Sequence, residues 1–354
     1  MNRFRHKARP ASWASAAVLM ALAFAIQLTV QAQEAATAPY ESLGTIEVKH
    51  ERFRNLISAD SRLEILASGF EWTEGPVWWS EQQAVLFSDI PRNTVFAWTK
   101  DGELKTFLKP SGYTGSNQFT GEEPGSNGLL FDADGRLILC QHGDRRVARL
   151  NEDRTFETLA ATYNGKRLNS PNDAVFKSDG SLYFTDPPYG LPKNVDDPAK
   201  ELPFQGVYRL SPDGTLTLLT DQMSRPNGIA FSPDESILYV ANSDPEQAIW
   251  MAFPVKEDGT LGEGTVFADA TDQVGKVKGL PDGMAVDRLG NLFATGPGGV
   301  LIFAPDGTHL GTLNTGEATA NCTFGGEDGS TLYVSADMHF CRIQTATQGL
   351  GFED

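Results

Sequence analysis

Cysteine is scarce in this sequence. The chain of 354 residues has three cysteines, Cys140, Cys322 and Cys341. A domain held together by disulfides needs an even and denser set, so a disulfide framework is excluded. The spacing of the three residues also differs from that of zinc ligands. All three are therefore predicted to be thiols of a hydrophobic core, although one pair could form in an oxidising compartment.

Positive charge is also in short supply. The sequence contains 29 Lys and Arg against 46 Asp and Glu, which gives a formal net charge of −17. Proteins that bind nucleic acids usually have a basic surface, so a nucleic-acid partner is excluded. An acidic surface instead attracts cations.

Long apolar runs are absent after residue 32. The N-terminus has basic residues up to Arg9, an apolar run over residues 13–26, and small residues at Val30 and Ala32. This order is typical of a secretory signal peptide, so residues 1–32 are predicted to be cleaved and the protein to be exported, either periplasmic or secreted. The alternative is an uncut membrane anchor, but the run is shorter than the ~20 residues that span a bilayer. No membrane association is expected after cleavage.

Several catalytic motifs are missing. The sequence has no Gly-x-Ser-x-Gly elbow, no His-Glu-x-x-His and no glycine-rich phosphate loop. These absences argue against a serine nucleophile, a zinc peptidase and a nucleotide-binding enzyme. No long segment shows the 3.6-residue apolar period of a helix, which favours an all-β fold.

What the sequence does contain is a repeat of short strands and tight turns. Asp-Gly pairs, which favour hairpins, recur along the chain. Intervals of 39 to 55 positions separate six similar segments, which begin at Glu74, Asn127, Asn172, Asn227, Asp282 and Asn321. This period is typical of propeller blades, each of which is a four-stranded sheet.

The predicted fold is a six-bladed β-propeller with four-stranded blades, closed by an N-terminal strand. The last unit lacks a fourth strand, and residues 62–68 could supply it, which removes exposed sheet edges. Residues 61–350 are thus predicted to form one catalytic propeller domain. Residues 33–60 are predicted to be a polar lead-in with an extra strand at residues 44–48. An open solenoid or two separate β domains are the alternatives, and six units in phase favour the closed ring.

An oxygen-bearing side chain begins every unit. Equal phase predicts equal height along the channel, so the six side chains should form a ring at one mouth. Two carboxylates with amide oxygens suit Ca²⁺ best, and Mg²⁺, Mn²⁺ and Zn²⁺ are the other candidates. The alternative is turn chemistry, in which Asn-Gly and Asp-Gly side chains only cap the backbone.

The second strand of each blade should end at the same mouth as the ring. His142 and Asp186 follow or end such strands, and both are candidates for holding a substrate or moving protons. Tyr189, in a rigid Pro-Pro-Tyr-Gly segment, could pack on a sugar face. For His142 the alternative is an ordinary surface residue.

Five motifs together carry a family resemblance. They are Phe-Glu-Trp-Thr-Glu-Gly-Pro-Val-Trp from Phe70, Asn-Ser-Pro-Asn-Asp from Asn169, Tyr-Phe-Thr-Asp-Pro-Pro-Tyr-Gly from Tyr183, Arg-Pro-Asn-Gly-Ile-Ala from Arg225, and Leu-Pro-Asp-Gly-Met-Ala from Leu280. From about Leu63 to Ile343 the sequence resembles the family of gluconolactonases and regucalcin (senescence marker protein). The stretch from His142 is more similar to the bacterial gluconolactonase branch.

The resemblance implies a propeller with one catalytic divalent cation at the channel mouth. Position by position, it implies that Glu74, Asn227 and Asp282 are metal ligands and that Asn172 touches metal or substrate. Regucalcin-like members have a substrate-binding Arg close before the third-unit Asn. Here Arg167 stands five positions before Asn172, which leaves its role open.

The function predicted from these residues is metal-dependent hydrolysis of a small-molecule sugar lactone to the aldonic acid. Asp282, Asn172, Asp186 and His142 are the predicted catalytic residues. Three alternatives stay open: a phosphotriesterase-like hydrolase with the same metal site, a non-enzymatic binding propeller with a structural metal, and a metal-free propeller similar to strictosidine synthase.

Overall fold

Short strands fill residues 40–352, the part of the chain that this computed structural model describes. The predicted signal peptide lies outside the described residues. Two strands precede the repeats, β1 (Thr45–Val48) and β2 (Glu64–Ser68). No helix within residues 40–352 is long and apolar enough to cross a membrane.

Six antiparallel sheets follow as the blades of a propeller. From inner to outer strand, the first three blades are β3 (Thr73–Trp79), β4 (Ala84–Asp89), β5 (Thr94–Thr99) and β6 (Leu104–Leu108); β7 (Ser126–Phe131), β8 (Leu137–Gln141), β9 (Arg146–Leu150) and β10 (Phe156–Ala160), followed by a small hairpin of β11 (Thr162–Tyr163) and β12 (Lys166–Arg167); and β13 (Ala174–Phe176), β14 (Leu182–Asp186), β15 (Gly206–Leu210) and β16 (Leu216–Thr220).

The remaining blades follow the same order. They are β17 (Pro226–Phe231), β18 (Ile237–Asp244), β19 (Gln247–Pro254) and β20 (Thr265–Asp269); β21 (Met284–Val286), β22 (Leu292–Gly296), β23 (Gly299–Phe303) and β24 (His309–Asn314); and β25 (Thr319–Gly325), β26 (Thr331–Ala336) and β27 (His339–Gln344), which β2 completes. Short 3₁₀ helices lie at Glu51–Asn55, Ser80–Gln82, Asn194–Asp196 and Thr271–Gln273.

The Asp-Gly pairs form the tight turns that the sequence predicts. At the turn between β13 and β14, Gly180 has a φ of +83°. The Asp179 side chain accepts a hydrogen bond from the backbone N–H of Ser181 at 2.8 Å. Asp fixes the turn by this local bond, and Gly tolerates the left-handed backbone, so the pair specifies where each strand reverses.

The ring closes through the N-terminal strand, as predicted. β2 pairs antiparallel with β27, so that Glu64 lies opposite Arg342 and Ser68 opposite His339. An ion pair between Arg342 Nε and Glu64 Oε2, 3.0 Å apart, lies on the same strand pair. The sixth blade therefore contains strands from both ends of the propeller, and residues 62–68 have the role that the repeat count required.

The segment before β2 packs against the propeller through a strand and through buried apolar side chains. β1 pairs with β24 and becomes a fifth strand of the fifth blade. Beyond it, Phe53, Leu56 and Ile57 are buried in the core shared by the fifth and sixth blades. A strand is present at Thr45–Val48, where the sequence predicts one at residues 44–48, and the end of the segment adds apolar residues to the core.

The three cysteines are buried free thiols, as predicted. Burial raises the pKa of Cys140 well above its ordinary value and that of Cys341 to about 12. Neither residue therefore has appreciable thiolate character near neutral pH.

The inner strands approach one another so closely that only glycine fits between some of them. An added Cβ on Gly228 would lie 2.2 Å from the carbonyl oxygen of Asp282 in the next blade. An added Cβ on Gly283 would lie 2.0 Å from Cγ of Asn321, one blade further on. The glycines that follow ring residues therefore fix the spacing between neighbouring inner strands.

Polar residues at the ends of second strands hold the segments that enter the first strands. The carboxylate of Asp186 accepts hydrogen bonds from the backbone N–H groups of Asn169 and Ser170, both at 2.8 Å. Asn242 Oδ1 accepts one from Arg225 N at 2.8 Å in the next blade. Asp186 is fully buried, and burial raises its pKa to about 7. Both carboxylate oxygens of Asp186 thus anchor the backbone, while its role in proton transfer stays a prediction.

Replacing Asp186 should destabilise the fold rather than remove the chemistry. In Asp186→Ala two buried N–H groups lose their acceptor, and each costs about 1–3 kcal/mol in the free energy of unfolding. Urea unfolding measures this loss, with Asp221→Ala, an exposed position, as the matched control. Full stability together with complete loss of activity in Asp186→Ala would instead support the proton-transfer role.

Candidate active site

The ring of oxygen-bearing side chains lines a cavity of about 350 Å³ at one mouth of the channel. Five of the six predicted ring residues line it: Glu74, Asn127, Asn172, Asn227 and Asp282. A larger opening of about 740 Å³ lies among the inner strands, where apolar side chains such as Val77 and Phe324 line it. The smaller cavity is the site of interest, because the convergent polar groups face it.

Asn321, the sixth predicted ring residue, lies on the other side of the ring. It lines the larger opening and hydrogen-bonds the carboxylates of Glu74 and Asp173. Its Oδ1 accepts the N–H of Cys322 at 2.8 Å, so the amide NH₂ is left for the two carboxylates. The prediction of a ring of six side chains is therefore wrong for Asn321, which instead hydrogen-bonds Glu74 from the side of the larger opening.

Glu74 is a buried carboxylate. Its Oε2 accepts the N–H of Gly75 at 2.8 Å, and only 2% of the residue is exposed. Burial raises the pKa of Glu74 to about 8, and the negative charge of Asp173 adds to this, whereas the bonds from Gly75 and Asn321 lower it. Glu74 therefore gains strongly from any positive charge placed in the cavity.

Asp282 lines the same cavity and lies in the same negative electrostatic field. Burial raises its pKa well above the ordinary value, and the charges of Glu74, Asp173 and Glu123 raise it further. Its Oδ1 is buried and has no hydrogen-bond partner among the described residues. Two acidic groups thus share one poorly hydrated space, which is unfavourable unless protons or a cation compensate for the charge.

The amide side chains present oxygen to the cavity. Oδ1 of Asn127, Asn172 and Asn227 is buried without a hydrogen-bond partner in residues 40–352. For Asn227 the orientation is fixed, because its Nδ2 donates to Ser243 Oγ at 2.9 Å. Ser243 Oγ in turn donates to the carbonyl of Pro281. Three buried amide oxygens without donors are costly in a folded protein, so the cavity suits a ligand that donates hydrogen bonds to them or a cation that they coordinate.

This donor set fits a hard divalent cation. Glu74 and Asp282 supply carboxylate oxygens, and Asn127, Asn172 and Asn227 supply amide oxygens. No cluster of three or more His, Cys, Asp or Glu in the described chain forms a metal site, so amide oxygens would have to complete the coordination. An all-oxygen set with several ligands suits Ca²⁺ better than Zn²⁺, which prefers nitrogen and sulfur.

Apolar and aromatic groups form the walls above the ring. Trp72, Ile90 and Leu280 line the cavity together with Tyr189, whose hydroxyl hydrogen-bonds Ser243. Burial, followed by the charge of Asp282, raises the pKa of Tyr189, so it stays a neutral donor. The placement of Tyr189 agrees with its predicted position at the lip.

His142 and Arg167 do not line the cavity. The imidazole of His142 is fully buried, and its Nδ1 lies 2.8 Å from Oε2 of Glu123. Arg167 lies on β12, where its backbone N–H donates to Glu201 and its Nη2 donates to the carbonyl of Asp144 at 3.0 Å. Asp186, as described above, is an anchor for the backbone. Of the predicted catalytic residues, the structure brings Asp282 and Asn172 together at the cavity.

Glu123 and Trp72 are cavity residues that the sequence did not reveal. Glu123 lies in the long connection between β6 and β7, outside the repeat, and it has an acidic neighbour in Glu122. Glu123 does not occupy the position within the repeat that the ring residues share. Trp72 stands two residues before Glu74 within a motif quoted above, so only the motif itself could have indicated it.

Comparisons with known proteins identify the family of the chain. Residues 72–337 match the family described as SMP-30/Gluconolactonase/LRE-like region. The chain is 41% identical over 316 residues to a gluconolactonase of Zymomonas mobilis subsp. mobilis, which covers 87% of this chain and 88% of that protein.

Solved structures give the same result. A gluconolactonase from Xanthomonas campestris is 32% identical, has a TM-score of 0.74 and covers 88% of this chain and 99% of that one. A calcium-binding regucalcin from Agrobacterium tumefaciens, with 20% identity, a TM-score of 0.62 and coverage of 79% and 92%, shares the fold. The chain therefore belongs to the SMP-30/Gluconolactonase/LRE-like family and is a six-bladed β-propeller enzyme of that family.

Proposed function

We propose that this lactonase hydrolyses a sugar lactone to the aldonic acid with the help of one divalent cation. The observation that carries the proposal is the set of unpartnered buried oxygens, on Asp282 and three Asn residues, around the carboxylate of Glu74. The 41% identity to a gluconolactonase over most of the chain supports the choice of substrate.

Ca²⁺ is the cation that we propose. Glu74, Asn172, Asn227 and Asp282 would hold it, and Asn127 is close enough to the ring to contribute. A similar fold occurs in a calcium-binding regucalcin, which supports the same ion class. When bound, such a cation supplies positive charge that polarises a lactone carbonyl and keeps both carboxylates ionised.

Asp282 is the proposed general base. A carboxylate oxygen that faces the cavity can accept the proton of an attacking water, and Asp282 is the ring carboxylate that keeps some exposure to the cavity. Glu74 is fully enclosed and tied to Gly75 and Asn321, which suits an anchoring role. Asn172, with its oxygen directed into the cavity, would orient the substrate.

The walls of the cavity favour a ring-shaped substrate. Trp72, Ile90 and Leu280 offer apolar contacts to the faces of a sugar ring and exclude bulk water from the carboxylates. Tyr189 lines the same cavity, and its hydroxyl, which donates to Ser243, can accept a hydrogen bond from a substrate hydroxyl. These groups suit a compact polar ring better than a long chain.

We also propose that the protein acts outside the cytoplasm. The support is the N-terminal pattern of basic residues, apolar run and small residues before residue 33. A lactone formed by sugar oxidation in the same compartment would then be its substrate.

Hydrolysis of glucono-1,5-lactone tests the function directly. Protein stripped of cations should be inactive above the spontaneous rate, and added Ca²⁺ should restore turnover. Asp282→Asn should lower kcat by about 10²- to 10⁴-fold, the usual range for loss of a general base. Continuous titration of the acid product measures all three.

The matched control is Asp101→Asn, at an exposed hairpin between β5 and β6. It should keep parental activity. If the folded parent loaded with Ca²⁺ showed no turnover above the spontaneous rate, the proposed function would be wrong.

Removing the cation should make stability depend on pH. The folded pKa of Glu74 is about 8 against an ordinary 4.5, so the folded cation-free protein keeps a proton that the unfolded chain has released. Its free energy of unfolding should therefore fall as pH rises from about 4.5 to about 8. Asp282 contributes in the same direction. Urea unfolding in the presence of a chelator, at several pH values across this range, measures the slope.

Two comparisons isolate the contribution of Glu74. In Glu74→Gln the titrating group is absent, so the slope should be shallower. In the parent, Ca²⁺ should raise the unfolding temperature more above pH 8 than near pH 5, because protons no longer compete. Equal slopes for parent and Glu74→Gln would contradict the burial of an ionisable Glu74.

A further inference from the structure

A third carboxylate, outside the ring, enters the cavity from a loop. Glu123 belongs to the connection between β6 and β7, and its side chain lines the cavity with 32% exposure. It lies close enough to Glu74 and Asp282 for its charge to affect both. A carboxylate beside two others is electrostatically unfavourable, so its presence needs a compensating role.

The backbone directly after Glu123 is held by three hydrogen bonds. The carbonyl of Pro124 accepts the N–H of Tyr113 at 2.6 Å, and Gly125 N donates to the carbonyl of Ile90 at 3.0 Å. The carbonyl of Gly125 accepts the N–H of His142 at 3.1 Å. Glu123 is therefore anchored directly on its C-terminal side.

The side chain of Glu123 is held by His142. Nδ1 of His142 lies 2.8 Å from Glu123 Oε2, and a carboxylate only accepts, so the imidazole donates this bond. The imidazole is fully buried, and an added Cβ on Gly190 would lie 2.7 Å from His142 Cβ. No other described residue bonds Oε1 of Glu123, so one oxygen is fixed and the other is available to a ligand.

We propose that Glu123 recognises the hydroxyl groups of a polyhydroxylated lactone and that His142 is its positioning residue. A carboxylate accepts hydrogen bonds from neighbouring hydroxyls, which an alkyl lactone does not have, and charge-assisted bonds of this kind are the strong ones. The apolar contacts from Trp72 and Leu280 would serve either substrate equally. The carboxylate of Glu123 thus sets specificity, and His142 acts through it instead of transferring protons itself. This inference rests on the proposed lactone hydrolysis.

The first experiment compares two lactones with full-length protein loaded with Ca²⁺. Glu123→Ala should lower kcat/KM for glucono-1,5-lactone by about 10- to 100-fold, mainly through KM, as expected for lost bonds to a charged group. The kcat/KM for δ-valerolactone, which has no hydroxyl groups, should change little. Glu122→Ala, the exposed neighbour, is the matched control and should behave like the parent for both lactones.

The positioning role of His142 has its own test. His142→Leu should raise KM for glucono-1,5-lactone, and His142→Asn should recover part of the loss, because an amide can donate to Glu123. In the double variant Glu123→Ala/His142→Leu the effects should not add, since both act through one carboxylate. Additive effects, or a fall in kcat alone, would overturn this role.

Binding without turnover separates this inference from the proposed function. Calorimetric titration with glucono-1,5-lactam, whose amide resists hydrolysis, should show weaker binding for Glu123→Ala than for the parent. If the parent hydrolyses neither lactone but binds the lactam through Glu123, the proposed function fails and the recognition role stands. Equal losses for both lactones, or unchanged lactam binding, would overturn the inference. Loss of Ca²⁺ stabilisation in Glu123→Ala would also overturn it, because Glu123 would then be a metal ligand.

Discussion

The pairing of β2 with β27 is the constraint on which the rest of the structure depends. It joins the first strand of the ring to the last blade, so that six inner strands surround one channel. The ring residues come from blades that are distant in sequence, and only a closed ring holds them at one height. Closure also pairs β27 with β2, so that the third strand of the sixth blade is not left as an unpaired edge.

Within the closed ring the dominant energetic problem is buried negative charge. Glu74, Asp282 and Asp173 are all acids whose pKa burial raises, and that of Asp173 rises to about 6. Asn321 offsets part of this by bonding both Glu74 and Asp173. The remaining negative charge is what the proposed cation would compensate. The same negative electrostatic field makes a further carboxylate at Glu123 unfavourable, which is why a role in recognition is attributed to it.

The fold could be predicted almost completely from the sequence, because the repeat determines both strand order and ring closure. The cavity floor was predictable for the same reason, since phase along the chain becomes height along the channel. Asn321 does not share the height of the other ring residues because the strand register of β25 shifts before it. In β3 the register shifts after Glu74 instead. The anchoring bonds of Asp186 could not be predicted, because a strand end near the mouth does not show which groups a carboxylate bonds. Glu123 could not be found, because a loop outside the repeat has no phase.

The glycines between the inner strands have a consequence for how such an enzyme can diversify. Gly228 lies against Asp282 and Gly283 against Asn321, each in the following blade, so a side chain added in one blade would displace a residue of the next. Neighbouring inner strands therefore constrain one another at the floor of the cavity, and a larger side chain there in one blade requires a change in the next blade. Glu123 lies in the connection between β6 and β7, outside the inner strands, so a change of this side chain leaves the spacing between those strands unaltered. New substrate preferences would then arise in that loop, while the floor stays the same.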